Sequence, residues 1–166
     1  LKISVRDFRS EISLYKSAQR ERVFPDQVWE EAFIHYQKLL QDRNLADFDD
    51  LLLKALDLAQ ASQMEEECKK RFTYLLVDEF QDVNPVQYRL MLEWAKGGRE
   101  LFVIGDPDQA IYGFRGSDSR CFERLKEDRP DTRKICLEEN YRSVSTVVEA
   151  ATAVISRNPG EERHLK

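Results

Sequence analysis

Two acidic residues directly follow a short apolar run near the middle of the chain, and their position suits metal and phosphate chemistry. Residues 75–77 are Leu-Leu-Val, and Asp78 and Glu79 come next. An apolar run of this length predicts a strand buried on both faces, as in a parallel sheet covered by helices. The acids then fall at the carboxyl end of the strand, where open α/β sheets place their ligands. The pattern therefore predicts a carboxylate pair able to hold Mg²⁺ against a nucleotide phosphate.

Two further polar turns follow two further apolar runs. Residues 101–104 (Leu-Phe-Val-Ile) lead into a turn that contains Gln109, and residues 134–137 (Lys-Ile-Cys-Leu) lead toward Tyr141 and Arg142. Helical patterns separate the runs, so the repeating unit is strand, polar turn, helix, which predicts a parallel sheet with right-handed crossovers. Taken alone, an Asp-Glu pair at the end of a strand is as often a structural cap or a surface pair as it is a functional site. The prediction of one shared site therefore rests on the order of all three turns.

These turns supply the groups that phosphoryl transfer needs, namely a metal ligand, a residue that orients water and a cation near the γ-phosphate. Asp78 is the candidate Mg²⁺ ligand, and Glu79 can polarise the attacking water. Gln109 can sense the γ-phosphate or help to orient that water. Arg142 can neutralise developing charge, and Tyr141 offers a flat face to a base.

The loop at residues 110–116 carries two aromatic residues and an arginine. Tyr112, Phe114 and Arg115 suit stacking on unpaired bases and pairing with phosphate. The alternative is that the two rings belong to the core, which is the more common environment of aromatic residues. The net charge of −5 argues against strong nucleic-acid binding by this chain alone.

The remaining sequence predicts helices around this sheet. Residues 1–22 and the stretch after Pro25 have amphipathic helical patterns. Asp47 or Asn44 is the candidate N-cap of one later helix, and Asn84 is the candidate N-cap of another. The acids at 47–50 complement a helix dipole, which is a structural interpretation without chemistry. With 166 residues, 42% hydrophobic and 34% charged, the composition predicts a soluble globular protein without a membrane partner, and we expect it in the cytoplasm.

Three segments closely resemble consecutive motifs of superfamily 1 DNA helicases of the UvrD/Rep/PcrA type. They are residues 77–82, 104–116 and 137–143, and residues 47–52 resemble a segment that those helicases carry upstream. The likeness covers about residues 36–158. It implies an α/β fold, a partial RecA-like P-loop NTPase domain with a parallel sheet of three strands, helices on both faces and an N-terminal helical segment. It also implies a motor that uses ATP to move along single-stranded DNA, usually 3′ to 5′, and to unwind duplex DNA.

The resemblance assigns roles to the nucleotide-site residues position by position. Asp78 would bind Mg²⁺, with Glu79 beside it activating water, and Gln109 would couple the γ-phosphate to the DNA site. Tyr141 would stack on adenine, and Arg142 would reach the γ-phosphate.

The DNA-contacting motif of the family corresponds to Tyr112, Phe114 and Arg115. Phe114 stands where many relatives carry Trp. Phenylalanine keeps a stacking face but has less area and no indole N–H, so we expect slightly weaker affinity for bases.

The sequence contains no G-x-x-x-x-G-K-[ST] phosphate loop. We therefore interpret it as a fragment, with residues 1–45 ending an inserted helical subdomain and residues 46–166 forming the second half of the first RecA-like domain. The phosphate loop would lie upstream and a second motor domain downstream. We expect the fragment alone to be inactive, and its sheet edge beside residues 135–137 to be closed by repacking, by self-association or by local disorder.

Two other function classes are compatible with parts of the pattern. A non-catalytic interaction module could retain a helicase-like half-domain, although it would not need Asp78, Glu79, Gln109 and Arg142 together. A metal-dependent nuclease could use the acids, although no His-rich ligand set accompanies them. The sequence leaves open whether a longer parent protein also carries a nuclease domain, as helicase-nucleases do.

Overall fold

The computed structural model describes residues 3–18, 22–61, 73–96, 100–111, 113, 116–117 and 120–157. The chain groups into two compact units, residues 1–124 and 125–166. Within the described residues no helix is long and apolar enough to cross a membrane. The described elements, in chain order, are α1 (Val5–Ser17), α2 (Gln27–Asp42), α3 (Phe48–Gln60), β1 (Tyr74–Val77), α4 (Pro85–Trp94), β2 (Glu100–Val103), α5 (Cys121–Asp128) and α6 (Ser145–Ile155).

Side-chain caps fix where α3 and α4 begin. Asp47 accepts a hydrogen bond from the Asp50 N–H at 2.8 Å, and the Asp50 carboxylate accepts one from the Asp47 N–H. Asn84 and Gln87 form the same reciprocal capping box at α4, with Pro85 at the first helical position. Such caps satisfy amide groups that the helix itself leaves unpaired. Of the two candidates for the cap of α3, the structure has Asp47 and not Asn44, and the predicted cap at Asn84 is confirmed.

The core of the first unit has two parts. Helices α3 and α4 pack through the buried residues Leu56, Ala59, Val86 and Leu90. Phe80, which is fully buried, follows β1 and packs edge-to-face against Phe122 with ring centroids 5.0 Å apart. The contact between Phe80 and Phe122 anchors the turn after β1 to the core.

Strands β1 and β2 form a parallel pair, as the sequence predicts. Leu75 lies opposite Leu101, and Val77 lies opposite Val103. The ladder continues past the strands, because the Ile104 N–H donates to the Val77 carbonyl at 2.8 Å and the Phe80 N–H donates to the Ile104 carbonyl at 2.9 Å. The polar turns that follow the two strands are therefore held side by side.

The prediction that helices cover both faces of the sheet is wrong for the described residues. Tyr74, Leu76 and Phe102 are 62%, 69% and 54% exposed, whereas the alternate residues Leu75 and Leu101 are half-buried. Side chains along a strand point to opposite faces in turn, so one face is shielded and the other is open. An apolar run cannot by itself distinguish these two cases.

The third strand, predicted at residues 134–137, does not form. Residues 132–140 have no regular secondary structure, and Ile135 and Leu137 are exposed. The sheet of the described residues has two strands instead of three. An apolar run becomes a strand only where a neighbouring backbone offers partners for its N–H and C=O groups. Closure of this segment by self-association stays a prediction.

One buried lysine joins the first three helices. Lys16 of α1 donates to Asp47 at 2.6 Å and to Asp50 at 2.7 Å, while the Tyr36 hydroxyl of α2 donates to Asp47 at 2.8 Å. Burial raises the pKa of Asp47, but the hydrogen bonds from Lys16, the Asp50 N–H and Tyr36 outweigh it and hold that pKa below its ordinary value. Asp47 therefore caps α3 and also ties α1 and α2 to it.

Tyr36 makes part of this stability dependent on alkaline pH. Burial and the hydrogen bond to Asp47 raise the pKa of Tyr36 from 10.0 to about 12. A folded-state pKa above the unfolded one means that the stabilisation is complete below pH 10 and is lost as the pH rises toward 12. Tyr36→Phe should therefore destabilise the chain by about 1 kcal/mol at neutral pH, with the difference from wild type shrinking above pH 10.

Urea unfolding of both proteins across the alkaline range measures this difference. Tyr74→Phe, at an exposed tyrosine, is the matched control and should leave the curve unchanged. A difference that stays constant through the alkaline range would show that Tyr36 ionisation is not linked to folding.

Candidate active site

The turn after β1 presents two carboxylates to solvent. Asp78 and Glu79 are both exposed, and the Asp78 Oδ1 accepts a hydrogen bond from the Glu79 N–H at 2.9 Å. Glu79 has φ 50° and ψ 43°, a left-handed conformation that costs a non-glycine residue about 1–3 kcal/mol. This reversal leads into a 3₁₀ turn at Phe80–Asp82, which buries Phe80 and leaves the acids at the sheet edge. The residue predicted to activate water thus has a strained backbone.

The turn after β2 orients Gln109. Its backbone forms a 3₁₀ turn at Pro107–Gln109, and the Asp106 Oδ1 accepts a hydrogen bond from the Asp108 N–H at 3.0 Å. The Gln109 Nε2 donates to the Asp106 Oδ2 at 2.9 Å. Both oxygens of Asp106 therefore fix this turn, with the exposed Gln109 side chain held at its surface.

A buried glutamine links the two turns. Gln81 is 2% exposed, and its Nε2 donates to the Glu79 Oε2 at 2.6 Å while its Oε1 accepts from the Asp106 N–H at 3.0 Å. The structure thus brings Asp78, Glu79 and Gln109 to one edge of the sheet, as predicted. Sequence reasoning missed Gln81 and Asp106. Both residues lie inside segments that resemble helicase motifs, and that position was the one signal in the sequence. The hydrogen-bond partners of the Gln81 side chain and of the Asp106 N–H could not be predicted, because they depend on tertiary packing.

Gly105 leaves the space that this link needs. A Cβ at Gly105 would lie 2.4 Å from the Gln81 Oε1, 2.9 Å from the Phe80 backbone N and 3.0 Å from the Phe122 ring. The backbone contact cannot relax by a rotamer change. Gly105→Ala should therefore destabilise the chain by about 1–3 kcal/mol, measured by urea unfolding. Gly113→Ala is the control, because nothing lies within 4 Å of its Cβ position. Equal stability of the two variants would contradict the packing described.

Tyr141 and Arg142 lie in the second unit. Tyr141 is 90% exposed, and its hydroxyl donates to the Glu139 carboxylate, a hydrogen bond that raises the pKa of Tyr141. The Asn140 Oδ1 accepts from the N–H groups of Arg142 and Ser143 at 3.0 and 2.8 Å. This Asx turn fixes the local backbone. The predicted meeting of these side chains with Glu79 stays a prediction.

The predicted DNA-contacting residues Tyr112, Phe114 and Arg115 lie outside the described residues. Their contact with DNA stays a prediction. The described loop residues beside them, Ile111 and Gly113, are exposed.

The carboxylate pair fits a magnesium ion that arrives with a nucleotide. Asp78 and Glu79 offer exposed, hard oxygen donors at the sheet edge. In the described part of the chain, no group of three or more His, Cys, Asp or Glu side chains is placed to hold a metal. Mg²⁺ needs no such protein cage, since it commonly binds one or two carboxylates together with waters and phosphate oxygens. The donor set suits this mode better than a resident structural metal.

Comparison with known proteins agrees with the resemblance to DNA helicases that the motifs show. The family model of the UvrD/REP helicase N-terminal domain matches residues 3–130. The chain is 44% identical over 135 residues to the ATP-dependent DNA helicase UvrD1 of Mycobacterium tuberculosis, covering 75% of this chain and 17% of that protein. It is 38% identical over 136 residues to DNA helicase II of Salmonella typhimurium, covering 81% and 19%.

A third relative extends the match over nearly the whole chain. The ATP-dependent DNA helicase PcrA of Staphylococcus epidermidis is 35% identical over 157 residues, which covers 93% of this chain and 22% of the relative. The chain thus spans about a fifth of the length of these relatives. Its residues 3–130 are matched by the family model, and its mixed helix-and-sheet fold agrees with part of an α/β helicase domain. The chain belongs to the UvrD/REP helicase family.

Proposed function

We propose that this chain is part of the ATP-hydrolysing motor of an ATP-dependent DNA helicase. One observation carries the proposal: Glu79 and Gln109 follow two parallel strands and are joined by hydrogen bonds at the same sheet edge. Such an edge is where α/β sheets bind nucleotides. Family membership supports the same reading, because the relatives UvrD1 and PcrA are named as ATP-dependent DNA helicases.

Each residue of the edge has a role that follows from its chemistry. Asp78 would hold the Mg²⁺ that accompanies ATP, and the bound ion would supply neutralisation of phosphate charge. Glu79 orients the attacking water and accepts its proton, for which an exposed carboxylate with a fixed rotamer is suited. Gln109, fixed by Asp106, contacts the γ-phosphate and responds to its loss.

The remaining site residues complete the motor in the assembled helicase. Tyr141 stacks on adenine, and Arg142 neutralises charge on the γ-phosphate. Tyr112, Phe114 and Arg115 contact single-stranded DNA, along which the motor moves 3′ to 5′ as it unwinds duplex. Residues 1–45 belong to an inserted helical subdomain, and residues 46–166 belong to a RecA-like domain. The phosphate loop is supplied by another part of a longer cytoplasmic protein.

Measuring ATP turnover with and without single-stranded DNA tests this proposal. We expect the complete helicase to show DNA-stimulated turnover. The 166-residue chain alone should show none, because its sequence lacks the phosphate-loop motif that cradles the β- and γ-phosphates. ATP turnover by the chain alone would contradict the proposal that another part of the protein supplies the phosphate loop. A complete protein that never hydrolyses ATP would instead support a non-catalytic module.

A further inference from the structure

The hydrogen-bonded path between Glu79 and Gln109 is continuous within the first unit. It runs from the Glu79 carboxylate to the Gln81 amide, from that amide to the Asp106 N–H, and from the Asp106 carboxylate to the Gln109 amide. The three side-chain hydrogen bonds measure 2.6, 3.0 and 2.9 Å. Gln81 is the one buried side chain among these four.

We propose that Gln81 is a positioning residue, which aims the Glu79 carboxylate and couples its orientation to the turn that carries Gln109. The inference rests on the proposed function, because it gives Glu79 and Gln109 their roles in ATP hydrolysis. It adds a residue that touches neither nucleotide nor water and acts through Glu79.

The chemistry of the amide explains why glutamine suits this place. Its Nε2 donates to a carboxylate, and its Oε1 accepts from a backbone N–H, so both polar atoms are satisfied at once. A carboxylate in its place could accept from Asp106 but could not donate to Glu79. An apolar residue could do neither. Only the amide bridges the two turns without leaving a buried polar group unpaired.

The surroundings of Gln81 hold it in one position. Its neighbour Phe80 is fully buried and has its N–H bonded to the Ile104 carbonyl. The absent side chain of Gly105 leaves room for the Gln81 Oε1, which would lie 2.4 Å from any added Cβ. A rigid second partner of this kind is what holds a reacting group within the narrow geometry that catalysis requires. A shift of the turn at Asp106 is therefore transmitted to Glu79.

Gln81→Glu and Gln81→Met in the complete helicase test the proposal. We expect kcat for ATP at saturating DNA to fall by about tenfold to a hundredfold in both variants, since small misplacements of a reacting group have effects of this size. The KM for ATP should change by less than about threefold, because binding in the ground state does not use this contact. Gln81→Glu keeps the size and the acceptor of Gln81 but replaces the donor with a negative charge, whereas Gln81→Met removes both polar atoms and adds no charge.

The split between kcat and KM separates positioning from a structural role. Misplacing the Glu79 carboxylate slows the chemical step without changing ATP binding, so kcat should fall in Gln81→Met while the KM for ATP is retained. A merely structural role would lower melting temperature, kcat and ATP affinity together, and this result would overturn the proposal.

Two further variants complete the experiment. Gln60→Met is the matched control, because Gln60 donates to Glu93 at 3.3 Å on the surface, away from the sheet edge, and kcat should be retained. Glu79→Gln distinguishes a failure of the positioning role of Gln81 from a failure of the proposed function. If it is inactive while both Gln81 variants keep kcat within about twofold, the positioning role is wrong and the proposed function stands. If Glu79→Gln itself keeps near-normal turnover, both are wrong.

Discussion

Glu79→Gln in the complete helicase should lower the rate of ATP hydrolysis by about 10²–10⁴-fold, the range expected when a general base is removed. The substitution keeps the size of the side chain and removes its ability to accept a proton. Nucleotide affinity should change little, because Asp78 remains and the lost interaction belongs to the transition state. Single-turnover hydrolysis and equilibrium binding of a non-hydrolysable ATP analogue measure the two quantities separately.

The matched control for this prediction is Glu100→Gln. Glu100 is an exposed glutamate at the first position of β2, at the end of the sheet opposite to the acid turn. It should retain full turnover. A Glu79→Gln protein that hydrolyses ATP within about threefold of wild type would remove the assigned role of Glu79. A variant that loses nucleotide affinity would assign Glu79 to ground-state binding instead.

The parts of the fold predicted correctly are those that local chemistry determines. Asp47 and Asn84 precede helices with residues that complete a capping box, and this signal lies within four positions. The two parallel strands follow from apolar runs that are separated by a helix. Because parallel strands end at the same edge of a sheet, the two strands also predict that the turns carrying Glu79 and Gln109 lie side by side.

The parts that could not be predicted depend on partners distant in sequence. Residues 134–137 have the composition of a strand, but β structure requires a neighbour that the local sequence does not specify. The exposure of Leu76 and the burial of Gln81 depend likewise on what packs against them. Lys16 lies 31 residues from Asp47, and nothing in an amphipathic helix identifies one of its lysines as buried.

Lys16→Met should destabilise the chain by about 3–5 kcal/mol, the cost typical of removing one partner from a buried ion pair. The Lys16 side chain is 2% exposed, and the side chains of Asp47 and Asp50 are 21% and 15% exposed. Methionine fills a similar volume but leaves both carboxylates without their cation. Urea unfolding at neutral pH measures the loss, and Lys38→Met, at an exposed lysine of α2, should cost little.

A double variant distinguishes charge from packing as the cause. If uncompensated charge is responsible, Lys16→Met with Asp50→Asn should be more stable than Lys16→Met alone, because one of the two orphaned carboxylates is neutralised. Asp50→Asn alone should instead destabilise, since it removes a partner at 2.7 Å from the Lys16 Nζ. If the lysine acts through packing alone, the two losses should add. Opposite signs for Asp50→Asn in the two backgrounds would establish that one buried charge, rather than its methylene chain, holds α1 against the N-terminus of α3.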